Sequence, residues 1–416
     1  MMTTRALSAL LIFITTVFSA AFTLPVKAAS VKASPGQASD QSVVIFSLDG
    51  FRWDYIEKHN AKNLASLAAQ GVRAEYLEPV YPTKTFPNHL SIVTGLLPSN
   101  HGIVGNHFCD KDRNQCYKMG HGQDDSSWLK GIPLWNLAQM QGLKAATYFW
   151  PESDARFNGM TPSYFYHYSK HSDYQQRIDQ IIQWLKLPEQ TRPRFVAGYF
   201  SLVDTMGHEF GPDAQQTYEA VQKVDKLIGQ LARRIQREVE QDVNLIIVSD
   251  HGMAQLDPER SLQLSDLGID LSDFIVKNSG TQVWLYKQPN TEMDLQEIRA
   301  QLKRNARGRY DILSEETLKS RGVTIDATTA DIVIETQAPR YFAYDDKDKH
   351  YGTHGFAVTQ DMHATFVAVG PAFKQGVKIG PVKNLDIYPV VAQILGLELL
   401  SDIDGTGASL LPALRH

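Results

Sequence analysis

The chain has 416 residues, 43% of them hydrophobic and 21% charged, with a formal net charge of -5 at pH 7. Such a length and composition fit one large or two smaller cored domains and exclude a disordered chain. Positive and negative charges are interspersed, so there is no electrostatic footprint for duplex nucleic acid or an anionic membrane, and any phosphate chemistry must be local.

Residues 1–29 place Arg5 ahead of an apolar run from Ala6 to Leu24, with small residues at Ala28 and Ala29. That is the pattern of a signal peptide, although the run is nearly long enough for an uncleaved anchor. Residues 30–41 are small and polar and read as a disordered lead, and residues 42–416 read as one domain. No second apolar span follows. The expectation is a periplasmic or secreted protein with no stable membrane association once the signal is removed.

The first strand, "SVVIFSLDG", stops at Asp49-Gly50 and leads into the helical pattern "AKNLASLAAQG". Next comes "YPTKTFPNHLSIVTG", in which Thr85 lies between Pro82 and Pro87. Thr85 suits an N-cap, with Pro87 starting the helix. It equally suits a nucleophile, because helix-start amides favour a bound phosphate. Cys109 and Cys116 follow in a polar loop; a local disulfide is expected of them, and a zinc tetrad is poorly served by two isolated thiols.

A second strand, "FVAGYFSLVD", stops at Asp204 after an amphipathic helix, and a third, "VNLIIVSDHG", stops at Asp250-His251 after another. Apolar strands alternating with helices predict an α/β fold: a central, mostly parallel sheet with helices on both faces. In such sheets the working site lies beyond the carboxyl ends of the strands. Each Asp alone reads as a turn former. Three converging on one sheet edge would repel one another unless a cation held them.

The histidines extend this reading. His208 lies four residues after Asp204, which puts both on one helix face; His251 adjoins Asp250; and His354 sits in the glycine-flanked "YGTHGF". Mixed imidazole and carboxylate donors without thiolate suit zinc before manganese or iron. Six ligands are too many for one zinc and about right for two, which can clamp an in-line phosphoryl displacement and activate a threonine hydroxyl.

The segments "LDGFR", "YPTKTFPNH", "HGIVGN", "VDTMGHEFGP", "SDHGM" and "GTHGF…MHATFVAVGPAF" together resemble the nucleotide pyrophosphatase/phosphodiesterase family of the alkaline phosphatase superfamily. The resemblance runs from about Val43 to the C-terminus and implies an alkaline-phosphatase-like, metal-dependent phosphodiesterase domain. It implies one zinc on Asp204, His208 and His354, and another on Asp49, Asp250 and His251 with the nucleophile Thr85. Asn106 matches the family's donor to a phosphate oxygen, and Tyr168 a base-stacking position. Phe86, beside Thr85, and Tyr199, on the strand leading to Asp204, are further substrate-binding candidates. His89 and His363 read as structural.

The implied activity is cleavage of nucleotide 5′-phosphodiesters or pyrophosphates through a phosphothreonine, releasing a nucleoside 5′-monophosphate. A phosphocholine or lipid-headgroup diesterase on the same site is the alternative, and a metal-stabilised, silent binding protein is a third reading. Ser201 to Gly207 lacks the acidic-proline pair associated with vertebrate members, and their extra cysteine-rich and nuclease-like domains are not found in this sequence.

Overall fold

The computed structural model describes residues 40–345 and 347–415. The expected signal peptide and nearly all of the lead lie outside the described residues.

Eight strands form the central sheet. In chain order they are β1 (Ser42–Leu48), β2 (Val72–Ala74), β3 (Lys144–Tyr148), β4 (Tyr164–Tyr166), β5 (Pro193–Phe200), β6 (Val243–Val248), β7 (Phe366–Val369) and β8 (Val377–Ile379). Their spatial order is β8-β2-β7-β6-β1-β5-β3-β4. All neighbours pair parallel except β7, which runs antiparallel to both β2 and β6. The sheet is therefore mostly parallel, as the unbroken apolar runs predict.

Alternation along β1 divides the core. Val43 and Ile45 face one apolar cluster with helices α2 (Thr85–Thr94), α3 (Leu134–Met140) and α7 (Ile387–Leu395). Val44, Phe46 and Leu48 face the other, with α1 (Lys62–Gln70), α4 (Tyr174–Leu185) and α6 (Gln215–Glu238). A period-2 strand buried on both faces holds the sheet rigid from either side. What it holds rigid is the row of strand ends.

Register sets that row. Ser47 pairs with both Tyr199 and Val248, so β1, β5 and β6 finish side by side. The next residues, Asp49 and Asp250, emerge on the same edge, while β5 turns into α5 (Leu202–Phe210), which carries Asp204 in its first turn. The Asp204 amide donates to the Asp49 carbonyl at 3.1 Å. Gly50, at φ +67°, permits this approach: a Cβ there would lie 2.9 Å from the Asp204 Cα.

Between Asp250 and His354 the chain builds a second, four-stranded antiparallel sheet from Phe274–Asn278, Gln282–Lys287, Ile332–Thr336 and Tyr310–Ile312, with its own apolar core. The sequence reading does not foresee this sheet. Its strands are short and differ in burial, Ile332–Thr336 being buried throughout and Phe274–Asn278 mostly half-buried, so no shared alternation marks them.

Candidate metal and active site

Three histidines are oriented by backbone hydrogen bonds. The Nδ1 of His208 donates to the Gly352 carbonyl at 2.9 Å, that of His251 to Gly252 at 2.9 Å, and that of His354 to Thr83 at 2.8 Å. A carbonyl can only accept, so each Nδ1 is assigned the proton and each Nε2 carries a lone pair. Those lone pairs face carboxylates. His251 Nε2 is 2.9 Å from Asp250 Oδ2 and 3.4 Å from Asp49 Oδ1; His208 and His354 Nε2 lie 3.4 and 3.6 Å from Asp204 Oδ1.

The same three carboxylate oxygens are buried without a hydrogen-bond partner. Lone pairs on both sides of each gap repel, and a divalent cation is the group that turns this into attraction. The donor set fits zinc: imidazole nitrogens fixed by an outer hydrogen bond, plus carboxylates. Two groups gather potential ligand atoms within 4.8 Å of one another: Asp49, Asp250 and His251, and Asp204, His251 and His354. The first is the set expected from sequence. In the second, His251 takes the place expected for His208, which nonetheless faces Asp204.

Burial and mutual proximity also shift the ionisable groups of the cluster. Burial pushes the Asp49 carboxyl up, and the charges of Asp250 and Asp204 add to it. Burial also works to raise Asp250, but the His251 and His89 rings outweigh it and hold that carboxyl well below its ordinary range. His354 is pushed well down by burial and by the neighbouring His251 and Lys84.

Thr85 is the first residue of α2; the N-cap is Lys84, and no side chain caps the helix. The cap role anticipated for Thr85 is thus not taken up. Its Oγ1 instead lies 3.3 Å from His251 Nε2. Asn88, one turn on, ties the preceding loop by accepting from the Val80 amide at 2.8 Å and donating to the Lys84 carbonyl at 2.9 Å.

Asn106 Oδ1 accepts the Phe86 amide at 3.0 Å, which fixes the rotamer and leaves the NH2 group for the cleft. The cleft, about 580 Å³, is lined by Thr85, Phe86, Asn106, Tyr168 and Tyr199 among others, and by no lysine or arginine among the described residues. Tyr168 is 54% exposed, an open aromatic face on the wall. Tyr199 is buried, and its hydroxyl donates to Asp49 Oδ2 at 2.5 Å. It holds a carboxylate from the cleft wall, where the sequence reading expects a substrate contact, and the two roles are compatible.

Lys84 points away from the cleft: its Nζ donates to the carbonyls of Ser279 and His354, each at 2.8 Å. His89 does more than pack. Its Nδ1 donates to the Thr85 carbonyl at 2.8 Å and lies 3.3 Å from Asp250 Oδ2, while Nε2 meets Ser47 Oγ at 2.8 Å. Its spacing of four from Thr85 on one helix is the sequence signal for this link. His363 stacks on Tyr76 at 3.7 Å, a structural role. Cys109 and Cys116 are bonded to each other.

A mostly parallel sheet bearing an aspartate and histidine cluster on its strand ends defines an α/β protein of the alkaline-phosphatase-like class. Comparison narrows it further. The sequence model of the type I phosphodiesterase / nucleotide pyrophosphatase family matches residues 43–357, and the chain belongs to that family.

Ectonucleotide pyrophosphatase/phosphodiesterase family member 3 of Bos taurus is 33% identical over 381 residues, covering 88% of this chain and 43% of the relative. Venom phosphodiesterase of Naja atra is 32% identical over 394 residues, covering 91% and 47%. The chain therefore spans about half the length of the curated relatives it matches. Among solved structures, an inactive threonine-to-alanine form of murine ectonucleotide pyrophosphatase / phosphodiesterase 5, in complex with AMP, superposes with a TM-score of 0.84 at 26% identity. It covers 90% of this chain and 100% of that one.

Proposed function

We propose that residues 42–416 form the catalytic domain of an exported two-zinc phosphodiesterase, acting on nucleotide 5′-phosphodiesters or pyrophosphates and releasing a nucleoside 5′-monophosphate. The observation that carries this reading is the placement of Thr85 Oγ1 beside His251, with the Asn106 amide free to face the same cleft. The ectoenzyme and venom-enzyme names of the relatives agree with export. No helix among the described residues is long and apolar enough to cross a membrane.

Asp49, Asp250 and His251 would hold one zinc beside Thr85, and Asp204, His208 and His354 the other. Bound zinc supplies positive charge that lowers the pKa of a nearby hydroxyl and offsets charge on the phosphoryl oxygens. Thr85 Oγ1 forms a bond to phosphorus as the bond to the leaving oxygen breaks on the opposite side. Asn106 donates to a non-bridging oxygen as charge develops there. Water then cleaves the phosphothreonine, freeing the monophosphate and restoring the hydroxyl. Phe86 and Tyr168 would stack on the base of the retained nucleotide.

The cleft is also lined by Gln123, Asp154 and His167, with Asp154 Oδ2 and Gln123 Nε2 approaching His167 Nδ1 at 3.1 and 3.0 Å, so a polar cluster accompanies the aromatic wall. The deciding experiment compares kcat/KM for a nucleotide aryl diester with that for an aryl phosphocholine. Faster cleavage of the nucleotide ester is expected; the reverse order would establish the headgroup reading.

A further inference from the structure

Arg177 is a buried cation with no part in the steps at phosphorus. It lies in the first turn of α4. Among the described residues its hydrogen bonds go to two carbonyl oxygens and to no carboxylate: Nη1 donates to the Tyr199 carbonyl at 2.8 Å and Nη2 to that of Ser172 at 3.0 Å. Its Nε is buried without a partner. Aromatic faces surround the rest, with the guanidinium carbon 4.4 Å from the ring centre of Tyr174, 4.8 Å from that of Phe149 and 5.8 Å from that of Phe200.

Taking a guanidinium out of water without a counter-ion is costly, and carbonyl dipoles and ring faces are weaker partners than a carboxylate. An apolar side chain of similar length would fill the same space without that cost. What the cation does is read from the groups it touches, and these lead to the cleft wall. Phe149 lines the cleft from a left-handed backbone at φ +68°, rare for a bulky residue, and its ring packs against Tyr168 with centroids 5.3 Å apart. Ser172 closes the turn after Tyr168: its amide donates to the Ser169 carbonyl at 3.2 Å, and its hydroxyl lies 3.2 Å from that of Tyr148. The Tyr174 hydroxyl is 3.3 Å from Oγ of the cleft-lining Ser201. Tyr168 itself is exposed, so the set of its ring depends on Phe149 beside it and on the turn that follows. Arg177 holds both.

We propose that Arg177 is a positioning residue for substrate binding: from behind the wall it fixes Phe149 and the segment from Tyr168 to Ser172, so that Tyr168 presents its face to the base of the retained nucleotide. The proposal rests on the phosphodiesterase reading and names the group that sets its base-binding wall.

Two diesters with the same aryl leaving group test it, a nucleotide aryl ester and a methyl aryl phosphate that lacks the base. Arg177→Met should raise KM for the nucleotide ester about tenfold with kcat nearly unchanged, a loss of the order of one stacked base. The methyl ester's kcat/KM and the bound zinc should stay at wild-type values. Arg177→Lys keeps a cation but cannot hold two carbonyls with one planar fork, so it should lose part of the nucleotide preference; this milder variant decides the matter if Arg177→Met does not fold. In a Tyr168→Ala background, where the positioned ring is gone, Arg177→Lys should cost nothing more on the nucleotide ester. Equal losses on both esters, an unchanged preference in Arg177→Lys, additive losses with Tyr168→Ala, or zinc lost along with activity would each overturn the role. If the zinc-loaded wild type hydrolyses neither ester, the phosphodiesterase reading fails, and dissociation constants for AMP then decide Arg177 separately: weaker binding by Arg177→Lys supports it, and unchanged binding overturns it.

Discussion

Thr85 Oγ1 lies 3.3 Å from His251 Nε2, the nitrogen whose ring partner is committed to the Gly252 carbonyl. The hydroxyl and the lone pair face one position, shared with Asp49 and Asp250. On the proposed mechanism, the nucleophile is separable from the ligands. Thr85→Ala is expected to cut kcat by at least about 10³-fold, in line with loss of a covalent nucleophile, while bound metal and melting temperature stay near wild type. Metal analysis and kinetics on one preparation check this; metal lost along with activity would make Thr85 chiefly a ligand.

Two ions are expected per chain, because the unpartnered oxygens of Asp49, Asp204 and Asp250 require counter-charge at both ends of the cluster. Chelation should abolish activity and lower the melting temperature, since binding to the folded state alone stabilises it. Readdition of zinc should restore both. A fully active chain with one ion by elemental analysis would contradict the pair.

Tyr199 holds Asp49 through a 2.5 Å hydrogen bond from inside the core. Tyr199→Phe keeps the ring and removes only the hydroxyl. Outer-sphere partners of this kind are worth about 10–100-fold in metal affinity or activity, and a loss of that order is expected in zinc competition. If affinity is unchanged and KM for nucleotide substrates rises instead, the hydroxyl serves the substrate.

Diesters should be preferred over monoesters. The cleft has no lysine or arginine among the described residues to meet a monoester's additional charge, and Lys84 is occupied by two carbonyls. An aryl diester and an aryl monoester compared at equal pH decide the point, with faster monoester cleavage the contrary result.

His101 makes stability depend on pH. It is fully buried; Nε2 donates to the Pro87 carbonyl at 3.1 Å, and Nδ1 accepts the Ile103 amide at 3.3 Å. Burial pushes its pKa down to about 3. An unfolded histidine titrates near 6.5, so between these values the unfolded chain binds a proton that the folded chain refuses. Stability should therefore fall as pH drops from about 6.5 toward 3, by up to about 1.4 kcal/mol per pH unit from this group. Urea midpoints at several pH values for the wild type and His101→Gln check it: the variant's acid slope should be shallower, and identical slopes would remove His101 from the account.

What was legible in the chain was whatever depends on local pattern. Unbroken apolar runs determined β1, β5 and β6 and their burial on both faces, and the Asp49 and Asp250 stops marked where β1 and β6 end, whereas β5 ends at Phe200 and the Asp204 read as its stop lies in the first turn of α5. Tertiary structure alone decided how the ends face one another. The pairing of Ser47 with Tyr199 and Val248 sets Asp49 beside Asp250, and no periodicity within one strand encodes the register against its neighbours. The same holds for individual side chains. Tyr199 reads as a substrate aromatic and, besides lining the cleft, is a carboxylate's partner, and His89 reads as packing yet links the Thr85 carbonyl to Asp250. A hydrogen bond spanning 150 residues, like that of Tyr199 to Asp49, depends on the positions of two atoms brought together by the whole sheet, whereas a strand or helix requires only the order of apolar and polar residues along a few turns.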